Sequence, residues 1–137
     1  MPHPIFHFIV SAVIAAFLWP SIGWFALLAF AGGFLIDLDH FFVYIARGKG
    51  LDFIKAYYFF LNREEEWVDE LFVFHNIELV FLATIIPLYF PFLLACSAAY
   101  IAHQIMDLIN ERFIERITPK QISITLFLLK GGSAKKQ

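Results

Sequence analysis

The sequence predicts an all-α, polytopic membrane protein: an antiparallel bundle of about four transmembrane helices plus one interfacial helix. Three observations lead there. Of the 137 residues, 61% are hydrophobic and 19% aromatic, and the mean hydropathy is +0.73, whereas soluble domains are about half apolar. The apolar residues also run together. Ile5 to Trp19 holds one ionisable side chain, His7, and neither Ser21 to Ile36 nor Leu79 to Ala102 holds a charge or a histidine. A soluble chain this short has too little interior to hide such runs, and a helix of about 20 apolar residues crosses a bilayer, so lipid is the expected solvent.

Pro2 and Pro4 stand where a helix start tolerates proline, and the first transmembrane helix is expected over 5–19. Pro20-Ser21 is expected to reverse the chain into a second helix, 22–46, in which Gly32 and Gly33 permit a bend or the close approach of another backbone. Arg47-Gly48-Lys49-Gly50 ends it. The segment 51–61 mixes Phe53, Tyr57, Tyr58, Phe59 and Phe60 with Asp52 and Lys55, the texture of an interfacial helix. An acidic turn at Glu64, Glu65 and Glu66 leads to a third helix, 67–86, and Pro87 and Pro91 bracket a reversal into a fourth, 92–117. The tail, 118–137, contains the stretch Ile122 to Leu129, too short to span. Everything belongs to a single membrane-embedded domain.

All ten Lys and Arg fall in the middle loop, at the end of the fourth helix or in the tail, and the turns near Pro20 and Pro87 carry none. The positive-inside rule then places the middle loop and both termini in the cytoplasm. The N-terminus lacks the basic region of a cleaved signal peptide. Cys96, the lone cysteine, is expected as a small buried hydrophobe. With a net charge of −2 and no basic block, no nucleic-acid partner is expected. Membrane lipids are the expected surroundings, and Gly32-Gly33 with the aromatic surface would permit a homo-oligomer.

The ionisable residues inside the apolar segments carry the functional signal. His7 opens the first helix, Asp37, Asp39 and His40 close the second, His75 and Glu78 open the third, and His103 and Asp107 lie late in the fourth. An up-down-up-down bundle returns all eight to one membrane face. His103 and Asp107 are spaced i,i+4, and His75 with Glu78, like Asp37 with His40, i,i+3, so each pair is expected on one helix face. Asp39 points elsewhere unless the helix unwinds. Four acids at that depth would cost on the order of 10 kcal/mol if uncompensated, and no Lys or Arg shares the layer. A bound divalent cation is the natural compensator. Imidazole with carboxylate suits zinc first, and manganese or iron also, at a site with positions open to water. Asn76, Gln104 and Asn110 are expected to support the ligands. A proton-sharing polar cluster without metal is the alternative.

At His7, Gly-Gly-Phe-Leu-Ile-Asp-Leu-Asp-His over 32–40, His75 and His103-x-x-x-Asp107, the chain resembles the small membrane-bound metal-dependent hydrolases of bacterial and archaeal inner membranes. Their ligand pattern is in turn similar to that of zinc-dependent phospholipases C and related single-strand nucleases. The chain departs from its relatives at Phe74-His75-Asn76-Ile77-Glu78, where many carry a basic residue and Thr-His-Ser, and at Ile36, where many carry proline; Glu78 is expected to supply a ligand instead. The resemblance implies metal-assisted hydrolysis of a phosphoester, with a phospholipid among the substrates to consider. His7, Asp37, Asp39, His40, His75, Glu78, His103 and Asp107 would hold the metal, with Asp37, Asp39 and Glu78 as catalytic acids or bases. The rival function is a non-enzymatic intramembrane metal or proton binder, either a transporter component or a sensor. A metal-stabilised assembly factor is a third.

Overall fold

The computed structural model describes residues 4–62, 72–110 and 123–125. The described residues are helical and include no strand. The first helix, α1, runs Pro4–Ile22 and contains Pro20 within its last turns. Proline there forfeits one backbone hydrogen bond but does not turn the chain. The expected reversal at Pro20-Ser21 therefore falls later, at Gly23, whose φ of 56° lies in the left-handed region where a Cβ is strained.

The second expected helix, 22–46, is not continuous. A 3₁₀ turn over Gly23–Leu28 leads into α2, Ala29–Gly33; a second 3₁₀ turn, Leu35–Asp37, leads into α3, Leu38–Ala46. The interruption follows Gly32 and Gly33, where the backbone has least side-chain support. Gly48, at φ 72°, closes this stretch.

α4, Phe53–Asn62, starts at Asp52, whose Oδ1 accepts the Ile54 and Lys55 amides at 3.0 Å each. The Lys55 amide first, and then the Lys55 charge and the Ile54 amide, hold the Asp52 carboxyl below the ordinary aspartate range against the opposing effect of desolvation. Its Ala56, Phe59 and Phe60 are buried against Tyr44 and Phe72, while Phe53, Ile54 and Tyr58 face outward. The third expected helix differs most. Residues 67–71 lie outside the described set, and Phe72 to Asn76 form a 3₁₀ turn, Val73–His75, between two extended residues. Only then does α5 begin, Ile77–Tyr89, running through Pro87 instead of stopping there. A short turn, Pro91–Leu93, leads to α6, Leu94–Ile109; the expected continuation over 111–117 falls outside the described residues, as do the acidic turn and most of the tail.

Small residues set the packing. Ala15, Ala26, Ala29, Ala95 and Ala99 form the cluster between α1, α2 and α6. A Cβ on Gly32 would lie 1.9 Å from the Cys96 carbonyl oxygen, and one on Gly33 would lie 2.2 Å from Ser11 Oγ. Both glycines are thus used up in contacts within the chain. Cys96 is half-buried there.

The polarity is inverted relative to a water-soluble domain. The largest fully buried side chains are His7, His103, Asn76 and Ser11, whereas Phe17 and Trp24 are 81% and 77% exposed. Where the chain reverses, Trp19 meets Trp24 and Phe25 meets Phe92, with ring centroids 5.0 and 5.5 Å apart. Two stretches, Ile5–Ala46 and Pro91–Ile109, are long and apolar enough to cross a membrane. The first folds back on itself at Gly23, bringing the Phe8 and Phe30 rings to 5.2 Å.

Gly32→Ala is expected to push α2 off α6 and cost about 1–3 kcal/mol, as overpacking of a filled core does. Thermal unfolding in detergent measures this, and an unchanged midpoint would show that the contact is dispensable.

Candidate metal centre

The local backbone decides where each acid points. On a regular helix Asp37 and Asp39 diverge by about 200°. The tight 3₁₀ turn ending at Asp37 instead sets them on two sides of one ring: Asp37 Oδ1 is 3.7 Å from His75 Nε2, and Asp39 Oδ2 is 2.9 Å from His75 Nδ1. α6 contributes His103 and Asp107 from successive turns, with His103 Nε2 3.3 Å from Asp107 Oδ2.

Four side chains converge. Asp37, His75, His103 and Asp107 each offer one ligand atom within 4.8 Å of all the others, so the group can hold a metal ion. The two Nε2 atoms are 3.3 Å apart, His75 Nε2 is 3.2 Å from Asp107 Oδ2, and His103 Nε2 is 3.5 Å from Asp37 Oδ1. Charge-assisted hydrogen bonds close to about 2.7–2.9 Å. Around a tetrahedral zinc with bonds of about 2.0–2.2 Å, ligand atoms stand about 3.3–3.6 Å apart. The spacings fit the edges of a coordination tetrahedron better than they fit ion pairs.

Tautomers agree with that geometry. His103 Nδ1 lies 2.9 Å from the Gly33 carbonyl, which can only accept, so Nδ1 carries a hydrogen and a neutral ring turns its Nε2 lone pair inward. His75 Nδ1 likewise donates to Asp39 Oδ2. If both rings are neutral, two lone pairs face each other at 3.3 Å, an arrangement that a cation or a shared proton between them relieves. Asp37 Oδ1, one of the four cage atoms, is buried without a hydrogen-bond partner among the described residues.

The second group able to hold an ion, Asp39, His40 and His75, has different spacings. His40 Nδ1 to Asp39 Oδ1 is 2.7 Å, and Phe74 N–H donates to Asp39 Oδ2 at 3.1 Å. These are hydrogen-bond lengths. The geometry makes Asp39 an anchor behind His75, with His40 braced on it and stacked on Phe72 at 4.3 Å.

His7 flanks the cage. Its ring stacks on His103 at 3.9 Å, and its Nε2 is 3.5 Å from Asp107 Oδ1. Glu78 is not brought to the group. Because α5 begins at Ile77, His75 and Glu78 do not share a helix face, and the Glu78 carboxylate accepts Ser123 Oγ–H and the Ile124 and Thr125 amides. Asn76 secures its own turn by donating to the Phe72 and Val73 carbonyls. The Gly33 carbonyl and Tyr100 escaped the sequence reading. Tyr100 had a signal, lying one helical turn before His103 on the same face of α6.

The chain matches no protein-family model, no curated protein and no solved structure.

Asp39→Ala would strand the Nδ1–H groups of His40 and His75 and the Phe74 amide together. A loss of about 3–5 kcal/mol is expected, as for a broken buried charged network, read from detergent-to-SDS unfolding. A loss under about 1 kcal/mol would place Asp39 outside any such network.

Proposed function

We propose that this chain is a membrane-bound metal-dependent hydrolase: a four-pass bundle whose Asp37, His75, His103 and Asp107 hold a divalent cation, zinc before manganese or iron, and cleave a phosphoester. The single observation that carries the reading is that five of the six separations among those four ligand atoms fall at 3.2–3.7 Å.

The four-pass reading rests on length and polarity. A straight helix over Ile5–Ala46 would extend about 63 Å, twice a hydrocarbon core of about 30 Å, and the reversal at Gly23 divides it into two passes. α5 and α6 supply the others. The exposed rings and buried histidines suit lipid outside and a polar site within. With the basic residues of the middle loop, the site and both termini face the cytoplasm of an inner membrane.

Two carboxylates and two neutral imidazoles carry a charge of about −2, which a divalent ion neutralises. Bound there, the ion supplies Lewis acidity and lowers the pKa of a water. Asp37 is the most open member, with its side chain 25% exposed; by leaving the ion it would open a fourth position for the attacking water and take that water's proton as base. The water oxygen bonds to phosphorus, the ester P–O bond breaks, and the proton passes to the leaving alkoxide. Asp39 and His40 keep His75 in its tautomer, and His7 closes the side toward α1. The exposed residues of α4, Phe53, Ile54 and Tyr58, would give a phospholipid an apolar surface from which its headgroup could approach the site.

The alternative is a transporter component or sensor that binds the ion or protons without turnover. A conduit would continue its polar groups across the bilayer, yet α5 beyond Glu78 and the start of α6 carry neither charge nor histidine.

Elemental analysis of detergent-purified protein is the test. About one equivalent of metal is expected in the wild type and none in His103→Ala or Asp107→Ala, with phosphodiester hydrolysis lost alongside. Metal that persists in both variants would overturn the ligand assignment, and bound metal without hydrolysis of any phosphoester would favour the sensor or transporter.

A further inference from the structure

His75 alone of the four cage residues stands on a single 3₁₀ turn flanked by extended residues, Phe72 and Asn76. Non-helical backbone at membrane depth must have its polar groups satisfied by the protein itself. Here they are. The Phe74 amide donates to Asp39 Oδ2 and the His75 amide to the Phe72 carbonyl, each at 3.1 Å. Asn76 Nδ2 covers the Phe72 and Val73 carbonyls. The Phe74 carbonyl, bonded directly to the nitrogen of His75, accepts twice: from the Tyr100 hydroxyl at 2.9 Å and from Gln104 Nε2 at 3.0 Å.

Both donors belong to α6. Tyr100, His103, Gln104 and Asp107 follow at i, i+3, i+4 and i+7, so one stripe of one helix carries two cage residues and two grips on the peptide before a third. Moving that peptide moves the His75 imidazole relative to His103, to which it stands at 3.3 Å between Nε2 atoms. The Tyr100 side of the stripe is dry, since Tyr100 is only 8% exposed, and its hydroxyl lies 3.5 Å from the Asn76 carbonyl as well.

Resting on the cage reading above, we infer that Tyr100 and Gln104 are positioning residues that set the metal preference of the site by clamping His75 through the Phe74 carbonyl. With His75 held, the cage offers two nitrogens and two carboxylates to a four-coordinate ion. With His75 released, one nitrogen recedes and water takes its place. Four-coordinate zinc and cobalt lose by that exchange, whereas manganese, which favours carboxylate and water, does not.

The test titrates metal-free, detergent-purified protein with Co²⁺ and Mn²⁺, comparing wild type with Tyr100→Phe, Gln104→Ala and the control Tyr44→Phe, which alters a buried tyrosine in a different cluster. Tyr100→Phe and Gln104→Ala are each expected to weaken Co²⁺ binding by about 10- to 100-fold and to dim its four-coordinate visible absorption, while Mn²⁺ binding shifts by less than about threefold. The control keeps wild-type values. Unchanged Co²⁺ affinity and spectrum in both variants would overturn the clamp, as would equal losses of Co²⁺ and Mn²⁺, which signify general loosening. A wild type that binds neither ion would overturn the cage reading and the clamp with it, an outcome distinct from failure of the clamp alone.

Discussion

The close approach of α2 to α6 is the constraint on which the rest depends. Glycine at 32 leaves no atom between the α2 chain and the Cys96 carbonyl, and glycine at 33 leaves none between α2 and Ser11. As the last residue of α2, Gly33 has a carbonyl that helix geometry leaves unspent. His103 takes it at 2.9 Å. The same break that frees this carbonyl tightens the chain into the turn ending at Asp37. One local departure from the α-helix therefore orients an imidazole on one element and delivers a carboxylate from another.

The two aspartates of 37–39 show how little residue type decides by itself. Asp37 turns an unpartnered oxygen toward His75 and His103, while Asp39 has both oxygens occupied by ring nitrogens or an amide. In a medium of low dielectric this division matters, because a carboxylate saturated with donors is tied to its place whereas an unsaturated one attracts a cation. Spacing expresses the same division, with hydrogen-bond lengths around Asp39 and longer separations around the cage.

Much of this was legible in the sequence, for physical reasons. Long runs without charge announce helices in any solvent that cannot hydrogen-bond to the backbone, and ionisable residues within those runs are costly enough to stand out. His7, Asp37, His75, His103 and Asp107 could be picked by that cost alone, and the described structure groups them. What was hidden is whatever periodicity cannot encode. A run that is apolar on every side has no preferred face, so although Gly32-Gly33 suggested a bend, nothing in 23–36 specified that 3₁₀ turns would flank α2. Pro20 looks like a stop, yet near a helix end it costs one hydrogen bond, and Gly23 supplies the turn. Glu78 looked like a ligand because an unbroken helix through His75 was assumed. With α5 starting at Ile77, its carboxylate instead sits in the first turn of a helix, where the dipole favours it, and meets Ser123 and the amides beyond.

The aromatic end of the bundle has a consequence for the life history of the protein. Trp19, Trp24, Phe25 and Phe92 gather where the chain reverses, and the carboxylates gather at the other end. Set in a bilayer, such a molecule cannot turn over, since doing so would drag Asp37, Asp39 and Asp107 through hydrocarbon while pulling the rings out of the opposite interface. In that setting orientation would be decided once, during insertion, and kept until the chain is degraded. Were a cation held among those carboxylates, the compartment faced by the acidic end would be its sole supplier, and the occupancy of the site would report the metal pool of one side of the membrane and be blind to the other.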